Sequence, residues 1–369
     1  MRIALFPGCF DPFHRQHLTI VQEVAQREDI DSVWILINDH SEEKSLVLSF
    51  SQRYEIIKKN IQEIDSKIQV FDQPIGFYTT NLIQNLKAKN PDWNFVLILG
   101  SDQINNLSQW EKAENLDKLV DFIAVERQNY TLDSKIQKKF KIDVLKNIKM
   151  NNFNSNEIKQ GKNWNYLTPI TLAYIHKNLF FYNNFLENNL SNERLKHSYN
   201  VAELAKKMAR YYSFPTIVKK VFVAGLVHDL TKEWTKEQHL NFWKKHQLDS
   251  GLLSKVPEAI WHSWTSAHYL EKELCLKDQE IINAIHNHTT GQIHMSTVGQ
   301  IVFVADKLEK NKKTNVENNK LRKQLFTQTP FEQIFTKTLN NVYSKLLDEN
   351  KQPDATMKAA WQHYCQKKT

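Results

Sequence analysis

Short, continuous apolar runs alternate with helical periodicity through the first half of the chain. Ile3 to Phe6 is the first run and stops at Pro7-Gly8. Leu18, Val21, Val24 and Ala25 then recur at helical spacing, followed by the run Val33 to Ile37. Tyr54, Ile57 and Ile61 mark a helix over about Ser51 to Ile64. Phe95 to Leu99, ending at Gly100, and Phe122 to Val125 are two further runs. Uninterrupted apolar strands alternating with helices predict a parallel sheet covered on both faces. Ligands of such sheets bind beyond the carboxyl ends of the strands, where Gly8 and Gly100 fall.

Beyond about residue 180 the period is helical throughout. Val201, Leu204, Ala205 and Met208 mark one helix, and Val221 to Val227 another. Ile301, Val302, Val304 and Ala305 mark a third. The expectation is a Rossmann-like α/β domain over 1–185 and an all-α domain over 186–369, joined in the Asn-rich stretch Asn183 to Ser191. Asn151 to Asn165 reads as loop and short helix.

The composition excludes several classes. The chain has 369 residues, 41% hydrophobic and 24% charged, which is a globular balance. Three scattered cysteines, Cys9, Cys275 and Cys365, exclude a disulfide scaffold and a Cys-rich zinc site. No apolar run is long enough to span a membrane, and the N-terminus does not read as a signal peptide. The expected compartment is the cytoplasm. The formal charge is 49 − 41 = +8, which a Lys-rich, solvated surface accounts for without a nucleic-acid partner.

The segment Gly8 to His17 follows the first strand and opens the first helix. Unpaired backbone N–H groups and the positive dipole end there suit an anion such as a triphosphate. His14 and His17, three residues apart, fall on the same side of the first turn. Their imidazoles either hold phosphate oxygens or simply cap the helix. The segment resembles the nucleotidylyltransferase signature GGxFDPxHxGH, and specifically the bacterial nicotinate-nucleotide adenylyltransferases. Lys44, Arg53, Gly100-Ser101-Asp102, Trp110, Arg127 and the Phe153 to Lys159 stretch, which is similar to an ISSTxIR phosphate motif, extend the likeness over residues 1–182. Pro7, Cys9, Gln16 and Lys159 depart from the pattern. The resemblance implies transfer of AMP from ATP, with Mg2+, to nicotinate mononucleotide. Its implied catalytic residues are His14, His17, Lys44 and Lys159. Gly8, Phe10, Asp11, Gly100, Asp102, Trp110, Arg127 and Ser155 would bind the nucleotides.

In the second half, His228-Asp229 ends an apolar helix, and Asp306 lies on another. A carboxylate on an apolar helix needs a partner. His197, His262, His286 and His288 supply imidazoles, and several His with two Asp suit iron, manganese or zinc better than calcium. The order His197, His228-Asp229, Asp306 resembles the HD-domain metallohydrolases. His288-Thr-Thr-Gly and Ala305-Asp306-Lys307-Leu308-Glu309 are similar to the YqeK-like symmetrical diadenosine tetraphosphate hydrolases. That resemblance covers residues 190–369 and implies hydrolysis to ADP at a binuclear iron or manganese site. Its ligands would be His197, His228, Asp229, His262, His288 and Asp306, with Lys232 at a phosphate oxygen. Rival readings are a degenerate adenylyltransferase fused to a phosphohydrolase of another nucleotide, and a non-catalytic RNA-binding or regulatory module.

Overall fold

The computed structural model describes residues 1–39, 46–75, 79–107, 116, 118–127, 130–150, 155–312 and 316–366. The chain forms two compact units, Met1–Tyr182 and Asn183–Thr369.

The first unit is a six-stranded parallel sheet in the order β3-β2-β1-β4-β5-β6. Its strands are β1 Arg2–Gly8, β2 Ser32–Ile37, β3 Ile68–Val70, β4 Asn94–Gly100, β5 Val120–Arg127 and β6 Ile142–Met150. The connecting helices are α1 Arg15–Ala25, α2 Phe50–Ile61, α3 Thr79–Lys89, α4 Ser101–Asn105, α5 Ser134–Lys139, α6 Ser155–Lys159 and α7 Pro169–Asn178. The four strands expected from apolar runs are present, because β1, β2, β4 and β5 lie inside the sheet and carry the core residues Ile3, Leu5, Leu36, Leu97 and Phe122. The two edge strands were not expected. β3 is three residues long, and β6 interleaves Asp143 and Lys146 with Val144 and Leu145, so neither reads as an apolar run. β1 and β4 pair with each other, and their crossovers leave in opposite directions, so strand order reverses there. Gly8 and Gly100 end these two strands and face the crevice that such a reversal opens.

Helix α2 starts one residue before the expected position because Ser49 caps it. The Ser49 Oγ accepts from the Gln52 N–H, and the Gln52 side chain accepts from the Ser49 N–H.

The second unit is helical, with no strand among its described residues. It comprises α8 Tyr182–Asn189, α9 Asn192–Tyr211, α10 Val218–Val227, α11 Lys236–Lys245, α12 Glu258–Lys272, α13 Gln279–His286, α14 Thr297–Leu308, α15 Val316–Gln324, α16 Phe331–Asp348 and α17 Ala355–Cys365. The Asn-rich stretch is itself helical: Phe185 and Leu186 are fully buried, while Asn188 and Asn189 bond carbonyls four residues back. α14 is buried along nearly its whole length, Asp306 included.

Helices α9 and α10 cross closely because a glycine lies at the contact. A Cβ on Gly225 would lie 2.9 Å from the Ala202 Cα, which is backbone and cannot yield. Gly225→Ala should therefore force the helices apart and destabilise the unit by about 1–3 kcal/mol. A thermal melt checks this; an unchanged midpoint contradicts the tight crossing.

Candidate functional sites

In the first unit, the loop after β1 is clamped from two sides. The Asp11 carboxylate, buried, accepts from the Val47 and Leu48 N–H groups at 2.9 and 3.1 Å and pairs with Lys159 Nζ at 2.7 Å. Arg53, also buried, donates to the carbonyls of Cys9, Asn38 and Leu48 at 2.7, 2.7 and 3.1 Å. Phe10 sits at φ 49° and folds its ring over Gly8, where a Cβ would lie 2.9 Å from the ring edge.

His14 is the N-cap of α1, and His17 is one turn in. Their rings stack with centroids 3.5 Å apart, and the Phe10 ring meets His17 edge-on at 4.9 Å. The His14 backbone N–H donates to His17 Nδ1 at 3.3 Å. In the neutral ring Nδ1 is then the acceptor, so the proton sits on Nε2. Burial pushes His14 down to about 3, aided by the Arg127 charge. Burial, His14 and Arg127 lower His17 well below its ordinary value too. Across the crevice, Arg127 pairs with Asp102 at 3.2 Å, and the Arg127 N–H donates to Ser101 Oγ at 3.1 Å. The Asp102 carboxylate folds back over Gly100, where a Cβ would lie 2.3 Å from its Oδ1. Ser155 opens α6 and Lys159 closes it. Lys44 and Trp110 lie outside the described residues, as do Phe153 and Asn154.

In the second unit, four helices and the turn after a fifth bring together all six residues expected as ligands. α9 carries His197, the end of α10 carries His228 and Asp229, α12 carries His262, the turn after α13 carries His288, and α14 carries Asp306. Asp229 lies between two imidazole pairs. Its Oδ2 is 3.7 Å from His197 Nε2 and 3.5 Å from His228 Nε2. Its Oδ1 is 3.2 Å from His262 Nε2 and 3.4 Å from His288 Nε2. Asp306 Oδ1 is 3.2 Å from His197 Nε2 and 3.6 Å from His228 Nε2.

The far side of three rings is fixed. His228 and His288 donate from Nδ1 to the Gly225 and Ile285 carbonyls, both at 2.7 Å. His197 Nδ1 lies 3.4 Å from Glu309 Oε1. Donation from Nδ1 turns the Nε2 lone pair toward the cluster, as metal-binding imidazoles require. His197 Nε2 and His228 Nε2 are buried and have no hydrogen-bond partner among the described residues. The donor set therefore fits divalent ions.

The electrostatics of Asp229, Asp306, His262 and His288 agree. Burial opposes ionisation of Asp306, but Lys307, Lys312, His197 and His228 outweigh it and hold the carboxyl well below the usual range. Asp229 is likewise lowered, its burial outweighed by His228, His262 and His288. Burial lowers His262, and pushes His288 down to about 3. His228 runs the other way: burial would lower it, but Asp229 and Asp306 outweigh that and raise it, so a divalent ion binding there competes with a proton. Lys232 Nζ lies 3.3 Å from His262 Nδ1. His286 stacks on Trp264 at 5.1 Å, outside the cluster.

Sequence reasoning did not single out Arg194, Lys307 or Lys312 as site residues. Arg194 donates to Asp229 Oδ2 at 2.6 Å, and Lys307 and Lys312 to the two Asp306 oxygens at 2.6 Å. Arg194 left a signal, since it precedes His197 by three residues on one helix.

Both geometries have counterparts among known proteins. Residues 5–161 match the cytidylyltransferase-like family, and residues 194–311 match the HD domain. The chain is 28% identical over 317 residues to the probable nicotinate-nucleotide adenylyltransferase/Ap4A hydrolase of Mycoplasma genitalium, covering 85% of this chain and 88% of that one. It is 30% identical over 192 residues to the probable nicotinate-nucleotide adenylyltransferase of Flavobacterium johnsoniae, covering 49% of this chain and 99% of the relative. A solved predicted HD superfamily hydrolase involved in NAD metabolism from Clostridium acetobutylicum matches 50% of this chain and 95% of its own, at 24% identity and TM-score 0.44. The chain thus joins a cytidylyltransferase-like domain to a metal-binding HD domain. It belongs to the nicotinate-nucleotide adenylyltransferase family.

A linkage prediction follows from His14. Its folded pKa of about 3 lies below the ordinary 6.5, so between those values the unfolded chain binds more protons. Stability therefore rises with pH in that window and is lost on acidification, by up to about 1.4 kcal/mol per pH unit for one histidine. Denaturant unfolding at about pH 5 and about pH 7 should show a smaller acid loss in His14→Asn than in the unmodified chain. Equal losses would contradict the buried neutral imidazole.

Proposed function

We propose that the chain is a bifunctional nucleotide enzyme, an adenylyltransferase over residues 1–185 and an HD phosphohydrolase over residues 186–369. The first domain transfers AMP from ATP to nicotinate mononucleotide, giving the dinucleotide and pyrophosphate. The second cuts diadenosine tetraphosphate symmetrically, adding one water across the central bridge to give two ADP. The observation that carries the reading is the convergence of four imidazoles and two carboxylates, with two Nε2 atoms buried and unpartnered among the described residues. It is supported by relatives of the same two-part design.

In the first domain, the acceptor's phosphate oxygen attacks the α-phosphorus of ATP as the bond to the β-phosphate breaks. No covalent enzyme intermediate is needed, so positioning and charge neutralisation carry the rate. The start of α1 and the His17 Nε2–H meet the phosphates, and His14 holds the His17 ring by stacking. Gly8 and Phe10 shape the loop, and Asp11 places Lys159 beside it. Ser155 and Lys159 serve the triphosphate, and Lys44 the reacting phosphates. Gly100, Asp102 and Arg127 meet the ribose or the acceptor, and Trp110 stacks on the pyridine ring. Bound with ATP, Mg2+ would supply charge neutralisation at its phosphates.

In the second domain, the six residues would hold a pair of divalent ions, with Asp229, which faces both imidazole pairs, common to the two. Borderline nitrogen and hard oxygen donors suit iron or manganese. Such ions make water a stronger nucleophile and neutralise the attacked phosphate. Glu309 orients His197, and Lys232 and Arg194 supply positive charge for phosphate oxygens. Both substrates are small nucleotides, with no nucleic-acid partner. No described helix is long and apolar enough to cross a membrane, which is consistent with a cytoplasmic enzyme.

Two single variants separate the activities. His17→Ala should lower adenylyl transfer by about 100-fold or more and leave diadenosine tetraphosphate hydrolysis intact. His228→Ala should abolish ADP formation and spare adenylyl transfer. Chromatography of both product mixtures checks this. Unchanged transfer in His17→Ala, or hydrolysis surviving in His228→Ala, would overturn the corresponding half.

A further inference from the structure

His239 is buried in the second unit but is not among the metal donors. It lies one turn into α11, is 4% exposed, and stands between the Trp234 and Trp261 rings at 5.7 and 6.2 Å. α11 is set in place by its cap: the Thr235 Oγ accepts from the Gln238 N–H at 3.3 Å, and the Gln238 side chain accepts from the Thr235 N–H at 2.8 Å. The turn before it is tied to α12. There the Thr231 N–H donates to Ser266 Oγ at 3.1 Å, and Thr231 Oγ1 to the His262 carbonyl at 3.0 Å. His239 meets Thr265, which follows His262 by three residues and so lies on the same side of α12. The ring is thus held one helical turn from a metal donor.

The hydrogen bonds at Thr265 fix which nitrogen of His239 carries the proton. Thr265 is fully buried, and its Oγ1 lies 3.0 Å from Trp243 Nε1 and 2.9 Å from His239 Nδ1. An indole N–H only donates, so the hydroxyl accepts from Trp243. The hydroxyl proton then has one acceptor among the described residues, His239 Nδ1. Nδ1 is therefore the bare nitrogen, and Nε2 carries the hydrogen. Among the described residues no group takes that hydrogen. Burial, His262 and Lys232 push the ring down to about 4, so near neutral pH it stays uncharged and keeps one fixed donor. A buried N–H without a partner is costly, and a bound acceptor removes that cost.

We propose that His239 is a substrate-binding residue of the phosphohydrolase: its Nε2–H donates to a phosphate oxygen of the nucleotide, next along the chain from the phosphate under attack. Thr265 is the positioning residue that fixes this tautomer. The proposal rests on the metal-dependent phosphohydrolase reading. A tetraphosphate extends past the phosphate under attack, and a neutral N–H holds an oxyanion by a charge-assisted bond without adding a cation that would repel the ions.

Hydrolysis of diadenosine tetraphosphate by the full chain with Mn2+ tests this through the split between KM and kcat. H239F, which keeps a ring but has no donor, should raise KM roughly tenfold and lower kcat less than about threefold. H239Q, whose amide keeps a donor of similar reach, should stay within about threefold of the unmodified KM. T265V, which removes the hydroxyl and frees the tautomer, should shift KM in the same direction as H239F, and T265S should restore it. Diguanosine tetraphosphate should give the same KM ratios, since the donor meets phosphate and not base. Mn2+ binding, read from the resonance of the unbound ion, should be equal in H239F and the unmodified chain. An unchanged KM in H239F or T265V, a loss of Mn2+ binding that matches the loss of activity, or KM ratios confined to one base would overturn the proposal. If the unmodified chain makes no ADP, the phosphohydrolase reading fails and the inference with it.

Discussion

Two carboxylates buried inside a helical bundle set the terms for the second unit. Asp229 and Asp306 are each only 4% exposed, and both are held ionised. An uncompensated buried charge costs several kcal/mol even after relaxation. Imidazoles, ammonium groups and a guanidinium therefore surround them, and four helices and the turn after a fifth must meet to provide these partners. The close α9–α10 crossing at Gly225 is part of the same requirement, because His197 and His228 come from those two helices. The Gly225 carbonyl then fixes the His228 ring.

The first unit solves the opposite problem. In the proposed adenylyl transfer its crevice must take up a polyanion and release it, so its cations are paired within the protein: Lys159 with Asp11 and Arg127 with Asp102. The start of α1 and the turn at Gly8 present backbone N–H groups beside the stacked imidazoles of His14 and His17, both lowered by burial. Lys159 is held against Asp11. The Arg for Lys difference at this position, a departure from the resembled family, thus alters an internal ion pair and its geometry as well as the reach toward a phosphate.

What could be read from the sequence follows burial. The interior strands β1, β2, β4 and β5 were legible because both faces are covered, leaving continuous apolar runs. The edge strands β3 and β6 were not, since an edge tolerates Gln69, Asp143 and Lys146. The six donors of the second unit were legible through their spacing and flanking motifs. Their partners were not. Glu309 reaches His197 across 112 residues, and Lys159 reaches Asp11 across 148, contacts that only the folded topology creates. Lys312 lies six residues past Asp306, and its contact depends on the turn that Arg322 fixes.

The central claim is that Asp229 is shared between two ions, one toward His197, His228 and Asp306, the other toward His262 and His288. Anomalous diffraction from crystals of the full chain grown with Mn2+ tests it most directly. The account predicts two peaks per chain, one at each oxygen of Asp229. A single peak, or peaks remote from Asp229, would contradict it.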